Sequence, residues 1–277
     1  MRKIFSFLFV LLFFAGTANA ARVDSLMTRS SLMGKDIKAV VVVPDSYSAS
    51  NPLPVVYLLH GHGDVSGGGW FKRKTGFEQL SDIHNVIIVL PDGGHDSWYF
   101  DSPTDKEFQY ESYIVKELIP FIDKEYSTIA KREGRGITGL SMGGHGALYL
   151  AIRHQDMFSA AGSMSGGVDI RPFSGSWGII KRLGSYDEHP DRWEQNTIMG
   201  MLHLIKPKSL GLIVDCGTED FFYEINCKLH GELEYRNIPH DFISRPGGHT
   251  WDYWANAIKY QMLYMSEHFK KVEKEKK

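Results

Sequence analysis

Ser141 stands in Gly139-Leu140-Ser141-Met142-Gly143, a serine with a glycine two residues away on either side. The residues before it, Gly134 to Thr138, read as a short strand, and those after it, Gly144 to Ile152, as a helix. A sharp strand–turn–helix lifts a serine oxygen out of a sheet, and glycines at those two positions remove the Cβ atoms that would clash there. The helix N-terminus behind the serine favours developing negative charge. The chemistry such a residue performs is nucleophilic attack on an acyl carbon, with a covalent intermediate.

A serine alcohol needs a base within hydrogen-bond reach. For a nucleophile in this turn the chain order is nucleophile, acid, base. His249 fits the base: it follows the strand-like His240 to Ser244 and the loop Arg245-Pro246-Gly247-Gly248, and precedes the last helical stretch. Among the twelve histidines, His145, His154, His203 and His268 lie in helical stretches and read as structural. The acid is expected in Asp215-Cys216-Gly217-Thr218-Glu219-Asp220, and Asp220 is the choice because it lies beyond a Gly-Thr turn. There it would fix the imidazole tautomer and stabilise the imidazolium. Glu219 is the alternative, and Asp215 reads as a structural residue of the strand end. Two backbone N–H groups must hold the oxyanion. These are expected at Met142, next to the nucleophile, and at His62, in the loop His60-Gly61-His62-Gly63; the side chains of His60 and His62 are given no catalytic role.

The elements that must position these groups alternate. Strands are expected at Val40–Val43, Pro54–His60, Val86–Leu90 and Leu210–Val214, and helices at Phe108–Tyr126, Met142–His154, Phe221–Asn237 and Trp251–Lys270. Nearly continuous apolar runs of this length suit central parallel strands covered on both faces. The pattern predicts an α/β fold with an open, mostly parallel central sheet and helices on both faces. In such sheets ligands bind at the carboxyl ends of strands, where all the residues named above fall. Residues 167–207, with Trp177, Trp193, several glycines and weak periodicity, read as a small cap-like insertion over those ends, with a short helix near Asp191–Met201.

The chain has 277 residues. Its first twenty carry Arg2 and Lys3, an apolar run from Ile4 to Ala15 and the small-residue site Ala18-Asn19-Ala20, and read as a cleaved export signal. The expected division is 1–20 signal and 21–277 one domain, in the periplasm or secreted, with no stable membrane anchor after cleavage. Loss of Arg2 and Lys3 takes the formal charge from −2 to −4, so no basic field exists to attract nucleic acid. Cys216 and Cys227 are either a disulfide or, as a large domain favours, two separate thiols. No Cys/His spacing resembles a zinc site, and the serine chemistry requires neither cofactor nor metal.

Together, Tyr57-Leu58-Leu59-His60-Gly61, Ser141-Met142-Gly143-Gly144-His145-Gly146, Gly217-Thr218-Glu219-Asp220 and Gly247-Gly248-His249-Thr250-Trp251 resemble the esterase D-like branch of the α/β-hydrolases. That branch includes tributyrin-type esterases, the feruloyl and acetyl-xylan esterases of carbohydrate esterase family one, S-formylglutathione hydrolases and mycolyltransferases. The resemblance runs from about Ile37 to Phe269 and implies an α/β-hydrolase fold. It places nucleophile, acid, base and oxyanion donors on Ser141, Asp220, His249, Met142 and His62. The substrates it implies are small-molecule or carbohydrate esters, with acyltransfer to a sugar or lipid acceptor as the alternative and a non-catalytic binding protein as the third reading. The formylglutathione hydrolases are usually cytosolic, which sits poorly with an export signal. Trp98, Trp70 and Trp177 are the candidates for contact with substrate, since aromatic rings stack on sugars and phenolic acyl groups.

Overall fold

The structure is a computed structural model describing residues 21–64, 70 and 76–275. The expected export signal therefore lies outside the described residues. Eight strands form one sheet: β1 (Arg22–Ser30), β2 (Lys35–Val43), β3 (Val55–Leu59), β4 (Ile87–Pro91), β5 (Arg135–Gly139), β6 (Ala160–Met164), β7 (Gly211–Gly217) and β8 (Asp241–Arg245). Their spatial order is β1-β2-β4-β3-β5-β6-β7-β8. The first two strands run antiparallel to their neighbours, and every pairing from β4 to β8 is parallel. This mostly parallel sheet, wrapped by helices, is the α/β-hydrolase arrangement expected from the alternation of elements.

The main helices are α1 (Phe77–His84), α2 (Tyr110–Ser112, continuing through a π-helical turn at Tyr113–Leu118 into Ile119–Glu125), α3 (Met142–Arg153), α4 (Ile179–Leu183), α5 (Pro190–Asn196), α6 (Ile198–Met201), α7 (Tyr223–Tyr235) and α8 (Trp251–Lys274). The wide turn in α2 ends just before Pro120. A proline ring clashes with the carbonyl four residues back and removes a hydrogen bond, so a local π turn accommodates it. Two apolar cores lie on opposite faces of the sheet. One holds α2 and α3 against Tyr57, Val89 and Ile137; the other holds α8 against Val56, Ile88 and Ala160. β3, β4 and β5 are buried along their whole lengths, as central strands covered on both faces must be.

Three elements were not expected from sequence. β1 is an edge strand with a largely exposed pattern, and α1 is short. β6 reads Ala-Ala-Gly-Ser-Met, which lacks the β-branched residues that announce a strand. Its small residues answer to packing: a Cβ on Gly162 would run into the side chains of Gln261 and Thr138.

Residues 167–207 fold as a run of short helices, α4 to α6 with 3₁₀ turns at Arg171–Phe173 and Leu202–Leu204. The short helix expected near Asp191–Met201 is two, broken at Thr197. The hydroxyl of Thr197 accepts from Ile170 N–H and donates to Val168 O, which ties the segment back onto itself. Cys216 and Cys227 are both free thiols. Among the described residues no helix is long and apolar enough to cross a membrane.

Candidate functional site

Ser141 occupies the bend between β5 and α3 with φ 54° and ψ −117°. A non-glycine residue with positive φ is costly and persists only where its surroundings enforce it. Here the enforcement is visible. Ser141 N–H donates to Met164 O at 2.9 Å, and Ser141 O accepts from His145 N–H at 3.0 Å. The flanking glycines leave the two sides of the turn in contact: a Cβ on Gly139 would strike Gly143 O, and one on Gly143 would strike Leu59 O and His60 O.

Across 108 residues of sequence, His249 Nε2 lies 2.9 Å from Ser141 Oγ. Its Nδ1 faces Asp220 at 2.9 Å to Oδ2 and 3.1 Å to Oδ1. A carboxylate only accepts, so Nδ1 carries the proton and Nε2 is free to take one from the serine. Asp220 is buried, and its Oδ1 also accepts from Phe222 N–H at 2.8 Å. Glu219, the alternative acid, is exposed, and its backbone N–H donates to Gly247 O. The structure thus brings together Ser141, His249 and Asp220 and leaves Glu219 aside.

The loops carrying Asp220 and His249 are fastened beneath. Asp215, fully buried at the end of β7, accepts from Tyr253 Oη and from Arg245 Nη2, both at 2.5 Å. Burial raises the Asp215 pKa against the opposing pull of Tyr253 and Arg245. Arg245 also lies over the Tyr260 ring at 4.4 Å. Asp215 is therefore structural, as its place in the strand suggests. Thr250 then caps α8, its hydroxyl accepting from Tyr253 N–H.

The loop after β3 lies directly against the serine turn. A Cβ on Gly61 would fall 2.6 Å from Leu140 Cδ1 and 3.4 Å from Ser141 Cβ. His60 anchors this loop: its Nε2 accepts from Gly93 N–H at 2.7 Å, its Nδ1 donates to Gly61 O, and its carbonyl accepts from Tyr99 Oη. Gly63 N–H donates to His95 O. The His62 ring meets His95 edge-on at 4.7 Å, and burial, with His95 adding to it, lowers the His62 pKa. Met142 is the first residue of α3, a position whose N–H has no partner inside the helix. The two N–H groups expected to hold an oxyanion thus sit on adjacent segments.

The three tryptophans divide. Trp70 is fully buried between Phe77 and Trp251, so it closes the second core and is withdrawn from the substrate wall. Its neighbours Gly69 and Phe71 lie outside the described residues. Trp98 is also corrected: it is 1% exposed, packs on His145 and donates its indole N–H to Trp177 O, so it supports the site from beneath. Trp98 and Tyr99 both have positive φ, at 53° and 62°. Trp177 alone is partly exposed near the site, stacked on Phe221 at 5.7 Å and 18°. Phe221 in turn covers the His249 ring at 4.2 Å, and Trp254 meets that ring edge-on at 4.8 Å. Sequence reasoning missed Phe221 and Trp254; the Phe-Phe pair after Asp220 was the available signal.

The other histidines have structural surroundings. His145 is buried, stacks on Tyr149, donates Nε2–H to Asn196 O, and has its pKa lowered to about 4 by burial. His154 bonds Glu111, and His203 bonds Gly200 O. Among the described residues no group of three or more His, Cys, Asp or Glu side chains is arranged to hold a metal ion.

The family model named Esterase matches residues 30–265. The chain belongs to the Esterase family. Among proteins it is similar to, Esterase Rv1288 of Mycobacterium tuberculosis is 28% identical over 253 residues, which are 80% of this chain. The match spans about half, 54%, of that relative's length. An acetyl esterase of Caldicellulosiruptor saccharolyticus is 28% identical over 233 residues, 79% of this chain and 85% of the relative. In structure, this Esterase-family chain superposes on a ferulic acid esterase with a TM-score of 0.77 and 28% identity, covering 90% of this chain and 99% of the other.

Proposed function

We propose that this Esterase-family member is an exported serine carboxylesterase. The observation that carries the reading is the continuous relay from Asp220 to His249 to Ser141, with 2.9 Å at each link. Ser141 Oγ attacks the ester carbonyl as its proton passes to His249 Nε2. Asp220 holds the imidazole and stabilises its charge. The N–H groups of Met142 and His62 hold the oxyanion. His249 then protonates the leaving alcohol, and water, deprotonated by the same imidazole, releases the acid and restores Ser141.

The proposed substrates carry acetyl or feruloyl groups on carbohydrates, or are small short-chain esters. The similarity to an acetyl esterase and to a ferulic acid esterase supports this class. The partly exposed Trp177 and Phe221 beside His249 provide an apolar surface for an acyl or sugar ring. Export rests on the composition of residues 1–20; expression of the full chain with N-terminal sequencing of the mature product tests it, with Ala21 as the expected first residue.

The activity is tested with chromogenic esters from acetyl to octanoyl, plus feruloyl, on wild type and Ser141→Ala. Serine-dependent turnover is expected, with the best acyl group naming the substrate class. Turnover that survives Ser141→Ala overturns the mechanism.

A further inference from the structure

Phe221 is an anomaly on the surface. It is 54% exposed, yet its ring contacts join two parts of the site. One face lies on the His249 imidazole at 4.2 Å, tilted by 36°. It also stacks on Trp177, from the insertion, at 5.7 Å and 18°. Trp177 is itself anchored, its carbonyl accepting the indole N–H of the buried Trp98. Phe222 and Trp254 stand nearly perpendicular to the imidazole, at 83° and 89° between ring planes. Hydrogen bonds to Asp220 and Ser141 hold the two ring nitrogens and restrain least a tilt of the ring about the line that joins them. An aromatic face opposes that motion, and Phe221 supplies one that is itself stacked on Trp177.

We propose that Phe221 is a positioning residue that holds His249 in line with Ser141, and that Trp177 acts on the base through it. The proposal rests on the reading of His249 as general base. It makes the insertion part of the catalytic apparatus: whatever displaces Trp177 loosens the imidazole. A phenylalanine exposed to this degree contributes little to the core, so its removal leaves the fold intact.

The experiment compares wild type, Phe221→Ala, Phe221→Tyr, Trp177→Ala and the Phe221→Ala/Trp177→Ala pair on p-nitrophenyl acetate, whose acyl group is too small to need the aromatic surface. Misplacement of a catalytic group by about 1 Å can cost about a hundredfold in rate. The expected result is a kcat for Phe221→Ala lowered about tenfold or more, with KM within about threefold and the tyrosine variant restored to within about threefold of wild type. Trp177→Ala lowers kcat less, and adds nothing in the Phe221→Ala background. An unchanged kcat, a loss confined to KM, or additive effects of the two substitutions overturns the proposal. If Phe221→Ala folds poorly, Phe221→Leu carries the same comparison, with an intermediate kcat expected. Nitrogen NMR of the His249 ring is read on the same samples and needs no turnover. Exchange broadening in Phe221→Ala supports the proposal, and an unchanged ring spectrum overturns it. Failure of Ser141 dependence, by contrast, would overturn only the serine mechanism.

Discussion

Tyr253 Oη donates to Asp215 Oδ1 at 2.5 Å and so ties the first turn of α8 to the end of β7. The bond holds the loop that carries His249 against the strand that leads to Asp220. Loss of a hydrogen bond to a buried charged group costs about 1.5–3 kcal/mol. Tyr253→Phe is therefore expected to lower unfolding stability by about that amount in urea, while the folded variant keeps most of its kcat.

Gly143 is expected to tolerate no side chain. A Cβ there meets the carbonyl oxygens of Leu59 and His60, which are backbone and cannot turn aside. Gly143→Ala should shift the serine turn against the His62 loop and lower turnover by about a hundredfold, the scale of losing one oxyanion donor. Steady-state kinetics, with circular dichroism as the control for folding, checks this.

Asp220→Asn preserves shape but removes the charge and allows the wrong imidazole tautomer. The expected loss in kcat is about 10⁴-fold, as for the equivalent change in a serine protease triad. Glu219→Gln, at the exposed neighbouring carboxylate, should stay within about threefold of wild type.

Glu111 gives the fold an acid-sensitive joint. Its buried carboxylate would be raised by desolvation, but bonds from His154, Arg153 and Tyr149 bring its pKa down to about 2. A carboxylate depressed in the folded state stabilises it above the unfolded pKa, and that contribution is lost as pH falls from about 4.5 toward about 2. His145 acts in the same direction at higher pH. Buried neutral with a pKa of about 4, it weakens the fold as pH falls from 6.5 to that value. Denaturation midpoints measured from pH 7 to pH 2 should fall in both windows, and Glu111→Gln should flatten the lower one at the expense of stability at pH 7.

The central strands and the meeting of Ser141, Asp220 and His249 were legible because each lies in a segment that follows a local rule. Apolar runs mark buried parallel strands, and Gly-x-Ser-x-Gly marks a turn that only glycine permits. What was not legible depends on neighbours. β6 has no β-branched residue to announce it, and its Gly162 answers to the neighbouring side chains of Gln261 and Thr138. The left-handed pair Trp98-Tyr99 is held by Tyr99 Oη on His60 O, and by Ser97 Oγ on Tyr99 N–H. Trp70 and Trp98 have the composition of a substrate wall, but side-chain type alone does not tell a ring beneath a site from a ring facing it. Phe221 is the converse: its proposed role lies in joining the rings of Trp177 and His249.

The most direct measurement is peptide mapping of the folded protein after reaction with a fluorophosphonate, run beside ester hydrolysis. A single adduct on Ser141, with hydrolysis abolished in step and no labelling in His249→Ala, is the predicted result. Labelling elsewhere, or hydrolysis that continues after Ser141 is fully modified, would contradict the assignment of Ser141 as the nucleophile.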